Sequence, residues 1–216
     1  MGGLIDISPL VSDRIGVWPG DTPYTYTANL RIADGANIDL GEVRGTVHVG
    51  AHADAGCHYH ADGAGIEARD LDAYYGECEV IAVQVAGGTR IRVEDLPHTP
   101  TASRVLFRTG TYPDPDHFTE DFAAFEPALL THLADLGVRL VGIDTPSADL
   151  FHSKVLEAHQ VLHERDLAIL EGLVLEHVDP GRYTLIALPL RLEGADASPV
   201  RAALAPLEPK QPQPEQ

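Results

Sequence analysis

Short β-prone runs recur along the whole chain and restrict it to a strand-dominated fold. They are "GLIDIS" at 3–8, "YTYTANLRI" at 24–32, "ECEVIAVQV" at 77–85, "RVLFRT" at 104–109, "RLVGID" at 139–144 and "RYTLIALPLRL" at 182–192. Turn signals such as "PGD" and "ADG" lie between them. Two stretches show helical spacing instead. "EPALLTHLADLG" sets Leu129, Leu130, Leu133 and Leu136 on one face, with Pro127 in the first turn and Gly137 where a C-terminal cap belongs. A second helix is expected to start at Ser153 as its N-cap and to carry Val155, Leu156, His159 and Leu162 at helical spacing. Strand, helix and strand alternate from 104 to 144, which predicts a mixed sheet with helices packed on it. The fold class is therefore α/β or α+β, with strands in the majority.

A chain of 216 residues with 44% hydrophobic content can bury a full core, and nothing in it forces a division. One domain over residues 1–207 is expected. The closing "EPKQPQPEQ", 208–216, is too rich in Pro, Gln and Glu to join a core and reads as a disordered tail. A formal charge of -18 would be repelled by nucleic acid or an anionic membrane, so the partner is a small molecule or a second copy. Two cysteines, Cys57 and Cys78, cannot build a disulfide framework, and "MGGLIDISPL" lacks the features of a secretion signal. With no apolar run long enough for a membrane span, the expected location is the cytoplasm.

The segment "TVHVGAHADAGCHYH" at 46–60 carries the chemistry. It holds four of the eleven histidines, at 48, 52, 58 and 60, with Asp54 among them. All have even numbers. Where the segment is extended they share one face, and Val47, Val49 and Ala51 take the other. Straight strand would hold His48 and His52 roughly 13 Å apart, too far for one metal ion, so the chain must bend, and Gly50 or Gly56 permits a bend. A helical turn starting near 48 would also join them. Imidazole nitrogen and carboxylate oxygen are ligands of zinc and similar ions, and His48, His52 and Asp54 make a three-ligand set that leaves a position for water. The competing reading is a solvated histidine run. Cys57, at an odd position, points away and reads as an inert thiol; Cys78 reads as core.

Elsewhere the residues leave alternatives open. Glu171 interrupts the apolar run "LAILEGLVL", so it stands either on a solvated edge or against a partner. Trp18, the only tryptophan, is either a packing residue or a ligand contact. The nucleophile pattern G-x-S-x-G is absent, which leaves serine catalysis without support.

"HVGAHADAGCHY" resembles the His-x-Gly-Thr/Ala-His-x-Asp-x-x-x-His signature of the metal-dependent cyclase family. Similarity to the arylformamidase branch of that family continues through "IDIS", "WPGDTPY", "LDAYYGECEVI", "LVGIDTPS", "HERDLAILEGLVLE" and "YTLIALPLRLEGADASPVRA". The resemblance implies a β-rich core, barrel-like or layered, flanked by helices, in a homodimer. It implies zinc, two ions per subunit, with other divalent metals also accommodated. His48, His52 and Asp54 would hold the first ion; Asp54, His159 and Glu171 the second. His58 would be the general acid/base and Trp18 a substrate contact. The implied reaction is hydrolysis of N-formyl-L-kynurenine, an aryl formamide, to L-kynurenine and formate in tryptophan degradation by a zinc-bound hydroxide. The alternatives are an isatin-type amidohydrolase of the same family and a non-catalytic metal-binding protein. One departure stands out. The family usually has Asp-Ala-Pro-x-His, whereas this chain has Gly56 in the proline's place, which loosens the backbone ahead of His58.

Overall fold

The computed structural model describes residues 3–207; the expected tail at 208–216 lies outside the described residues. In chain order the strands and α-helices are β1 (Ile5–Asp6), β2 (Thr25–Leu30), β3 (Leu40–Arg44), β4 (His52–Asp54), β5 (Tyr75–Ala82), β6 (Arg90–Ile91), β7 (Arg104–Arg108), β8 (Ala124–Phe125), α1 (Pro127–Asp135), β9 (Leu140–Ile143), α2 (Glu157–Glu164), β10 (Ala168–Glu171), β11 (Gly181–Ile186), β12 (Ala197–Pro199) and β13 (Ala203–Pro206). Nine strands form one mixed sheet, in the order β1-β13-β11-β5-β7-β9-β10-β4-β12, curled into a half-barrel with two helices. The middle of it, β5-β7-β9-β10, is parallel, and the remaining pairings are antiparallel.

Strand alternation divides the core into two layers. Along β7, Val105 and Phe107 face the helices while Leu106 faces the inside of the curl; along β10, Ile169 faces the helices while Ala168 and Leu170 face inward. The helix side is closed by Leu129, Leu130 and Leu133 of α1 and Leu162 of α2. Each fully buried Leu or Phe contributes about 1.5–3 kcal/mol, so both layers are driven mainly by apolar burial. Helix α1 has Pro127 at its start, and the Gly137 N–H closes its end on Ala134 O at 2.9 Å. Leu136 departs from its expected face. It lies past the last helical turn and is exposed.

Helix α2 starts later than its sequence suggests. Ser153 is not the N-cap; Leu156 is, in a left-handed conformation at φ 52°, and Val155 is exposed. The first-turn N–H groups find a carboxylate from outside the helix, because Asp149 accepts from Ala158 N at 3.1 Å and from His159 N at 3.0 Å. The apolar run at 182–192 keeps strand geometry only to Ile186. Residues 48–60 are not one strand either: β4 covers only His52–Asp54, and the chain turns at Gly50, φ 63°. A side chain there would press on Pro9, and Gly172, φ 65°, approaches so closely that a Cβ would collide with Gly50 O.

β2 and β3 form a hairpin outside the main sheet, with Tyr26, Leu30, Leu40 and Val43 exposed. β6 and β8 make a short parallel pair. Cys78 is buried in the inner layer and Cys57 is partly buried, both as free thiols. No helix among the described residues is long and apolar enough to cross a membrane.

Candidate active site

β4 lies between β10 and β12, and its register puts His52 opposite Glu171 and Asp54 opposite Ala197. Ala53, between the two polar residues, points into the inner apolar layer. His52 and Asp54 therefore share the face on which Glu171 lies, at the C-terminal end of parallel strand β10, where open sheets commonly bind ligands. Helix α2 adds His159, buried beside Ala158 and Leu162. The side chains of His52, Asp54, His159 and Glu171 are all nearly inaccessible to solvent.

Their donor atoms converge. His52 Nε2 is 3.5 Å from Asp54 Oδ1 and 3.4 Å from Glu171 Oε2. His159 Nε2 is 3.6 Å from Asp54 Oδ2 and 3.4 Å from Glu171 Oε1. Each carboxylate thus turns one oxygen to each histidine. His48 approaches from the turn before β4, with Nδ1 3.0 Å from Asp54 Oδ1. His52 Nε2, His159 Nε2 and both Asp54 oxygens are buried without a well-formed hydrogen bond. Such orphaned groups are costly unless something else satisfies them. Ligand atoms about 2.0–2.2 Å from a tetrahedral zinc ion stand about 3.3–3.6 Å apart, so this set of nitrogens and oxygens fits divalent metal.

Partners behind the cluster fix its orientation. His159 Nδ1 is 2.8 Å from Asp149 Oδ2, His52 Nδ1 is 2.8 Å from Gly50 O, and Glu171 Oε1 accepts from Ala148 N at 2.6 Å. Arg90 in turn pairs with Asp149 at 3.1 Å. Asp196 Oδ2 lies 3.0 Å from His48 Nε2 and 3.2 Å from His58 Nδ1. Burial works against charge throughout, and the neighbours outweigh it. With no metal between the ligands, burial would lower the His48 pKa, but Asp54 and Asp196 raise it to about 9. Burial likewise opposes a charged His159, which Asp149, Asp54 and Glu171 nonetheless hold well above the ordinary histidine range. Burial pushes the Asp54 carboxyl up, yet His159 and His48 bring it well below the usual range. Asp149 is also lowered, because His159 and the N–H groups at the start of α2 outweigh its burial.

The cluster lies at one side of a cavity of about 580 Å³. Trp18 also lines it and packs against Phe151 at 4.9 Å, Phe118 at 5.5 Å and Phe122 at 6.2 Å. It packs on these rings and also lines the cavity. Of the candidate residues, His48, His52, Asp54, His58, His159 and Glu171 come together, and His60 stays apart, stacked on His163 at 3.8 Å. Glu171 stands against partners, not on a solvated edge. Gly56 opens a short 3-10 turn that carries His58, and the turn is tied by Cys57 N to Ala64 O at 3.1 Å and His60 N to Gly56 O at 3.0 Å. Asp149 and Asp196 were not singled out from sequence. Their only advance signal was an acidic residue within "SADL" and "GADASP", which spacing alone does not connect to any histidine.

The Cyclase family profile matches residues 5–150, from the first strand through the histidine segment to the residues following β9. The kynurenine formamidase of Delftia acidovorans is 47% identical over 206 residues, covering 94% of this chain and 98% of that one. The kynurenine formamidase of Bordetella avium is 44% identical over 209 residues, covering 96% and 100%. A solved structure described as a potential metal-dependent hydrolase with cyclase activity superposes with a TM-score of 0.81 at 27% identity, covering 96% of this chain and 99% of that one. With a match running through most of the sheet and relatives aligned nearly end to end, the chain belongs to the Cyclase family.

Proposed function

We propose that this enzyme hydrolyses N-formyl-L-kynurenine to L-kynurenine and formate in tryptophan degradation. The observation that carries the reading is the buried His52, Asp54, His159 and Glu171 cluster, whose unsatisfied atoms converge beside an aromatic-walled cavity. Relatives named kynurenine formamidase over nearly the whole chain support the substrate.

His48, His52, Asp54, His159 and Glu171 would hold zinc, two ions per subunit. When bound, such ions supply Lewis-acid polarisation and a water acidified toward a pKa of about 7. The remaining work falls to side chains. Trp18, backed by Phe118 and Phe151, offers a flat apolar surface on which an aryl ring stacks and is oriented. Asp196 steadies His58 through Nδ1, leaving Nε2 to hand a proton to the departing anilide nitrogen. Asp149, buried behind His159, holds that ring's orientation before substrate arrives.

A second copy of the chain is the proposed partner, supported by the exposed apolar residues of the β2–β3 hairpin. The free thiols suit a reducing compartment, and the cytoplasm is the proposed location. Elemental analysis of the purified protein, joined to deformylation assays before and after chelation, tests the function. Stoichiometric metal and activity lost with it are expected. Full activity after complete metal removal, or preferential turnover of isatin, would overturn it.

A further inference from the structure

Among the charged side chains lining the cavity, Asp21 and Lys154 are not members of the converging His, Asp and Glu cluster. Lys154 is the one permanent cation in the wall and one of only two lysines in a chain of net charge -18. It is exposed and makes no ion pair among the described residues, whereas seven arginines pair with acids elsewhere. In so acidic a protein, a lysine left over at the substrate cavity needs a reason.

The backbone carrying Lys154 is fixed on both sides. Ser153 Oγ accepts from Leu156 N at 3.0 Å and donates to Glu157 Oε2 at 2.8 Å, and the same Glu157 oxygen accepts from Arg90 at 2.9 Å. Leu156 keeps a left-handed conformation, which a leucine adopts when its surroundings enforce it. Asp21 comes from a separate turn, Trp18 to Asp21, closed by Asp21 N donating to Trp18 O at 2.9 Å. Its carboxylate accepts only Thr22 N among the described residues, at 2.8 Å. Trp18 and Phe151, in contact at 4.9 Å, join the two segments. The cavity wall therefore offers an aromatic surface with one carboxylate and one ammonium, separate from the His, Asp and Glu cluster.

We propose that Lys154 and Asp21 form a subsite for the α-amino-acid end of the substrate, with the Lys154 ammonium pairing the α-carboxylate and the Asp21 carboxylate pairing the α-ammonium. The subsite rests on the deformylase reading above and deepens it. The amino-acid end is a zwitterion, so holding and orienting it takes one cation and one anion; carboxylates abound in a chain of net charge -18, and Lys154 is the one permanent cation at the cavity. Both residues select and position the substrate and take no part in the bond-breaking step.

The test compares N-formyl-L-kynurenine with 2-formamidoacetophenone, which keeps the aryl formamide and ortho acyl group but lacks the amino-acid end. Lys154→Met is expected to lower kcat/KM for the first about 10-fold, mainly through KM, and to change the second less than about 2-fold. Asp21→Asn should act in the same direction, and Lys154→Arg should recover most of the loss. An equal fall on both substrates, or no change on either, overturns the subsite while leaving the deformylase reading intact. A wild-type protein that hydrolyses neither formamide overturns that reading, and the subsite with it.

Discussion

Asp149 Oδ2 stands 2.8 Å from His159 Nδ1, and the same carboxylate accepts the backbone N–H groups of Ala158 and His159. One side chain thereby starts helix α2 and aims the ring that the helix carries. Asp149→Asn preserves the size and an acceptor oxygen but removes the charge behind His159. Metal affinity should fall about 10–100-fold with the fold retained. Asp149→Ala should also cost about 1 kcal/mol or more of stability through the lost helix cap. Competition titration against a chelator, with thermal melts of both variants, reads the two effects separately; wild-type affinity in the Asn variant would refute the orienting role.

His58 contacts Asp196 and sits in the cavity wall, while His52, His159 and Glu171 are held by other partners. His58→Ala should retain wild-type metal content and lose about 10²–10⁴-fold in turnover. Asp196→Asn should give a smaller loss. Steady-state kinetics beside elemental analysis decide the matter, since full activity in the Ala variant removes His58 from the reaction.

In the metal-free protein His48, raised to about 9, carries a proton at neutral pH, and His159 is pushed toward its charged form by Asp149, Asp54 and Glu171. A histidine whose pKa is higher folded than unfolded stabilises the fold fully below about pH 6.5. For His48 that contribution is lost as pH rises through about 9. Metal must displace these protons, so zinc uptake at pH 7 should release protons and tighten as pH rises. Calorimetry in buffers of different ionisation enthalpy measures the release; uptake without any proton transfer would contradict these assignments.

Gly56 is the first residue of the 3-10 turn leading to His58, a position where proline's fixed φ fits and its missing N–H goes unneeded. Gly56→Pro should raise stability by about 0.4–1 kcal/mol through the unfolded chain. Activity should hold or rise, because His58 is already tied by the turn's own hydrogen bonds. Chemical denaturation reads the change, and a loss of stability would mean that the close approach of Gly63, 3.3 Å from the position a Cβ would take, cannot relax.

The parts of the site that were legible in sequence are those joined by local periodicity. His52 and Asp54 share a face because they are two apart on a strand, and Glu171 declared itself as a carboxylate in an apolar run. What resisted reading was supplied from a distance. Asp196 reaches His58 across 138 residues, and no spacing rule anticipates that. Ser153 was the nearest hydroxyl ahead of α2, but a buried carboxylate placed by tertiary structure took over the capping. Strands β12 and β13 are too short, and carry proline, to show an alternating pattern. Leu136 followed the helical stripe on paper, yet the helix had already ended.

The pairing of β4 on both edges, to β10 and to β12, has a consequence for how the enzyme matures. A slip of one residue would turn His52 and Asp54 into the apolar layer and bring Ala53 out. Such a chain would fail to bring the candidate ligands together, so its capacity for metal would depend on strand alignment. The fraction of a preparation able to take up divalent metal would then report how many molecules assembled this sheet in register.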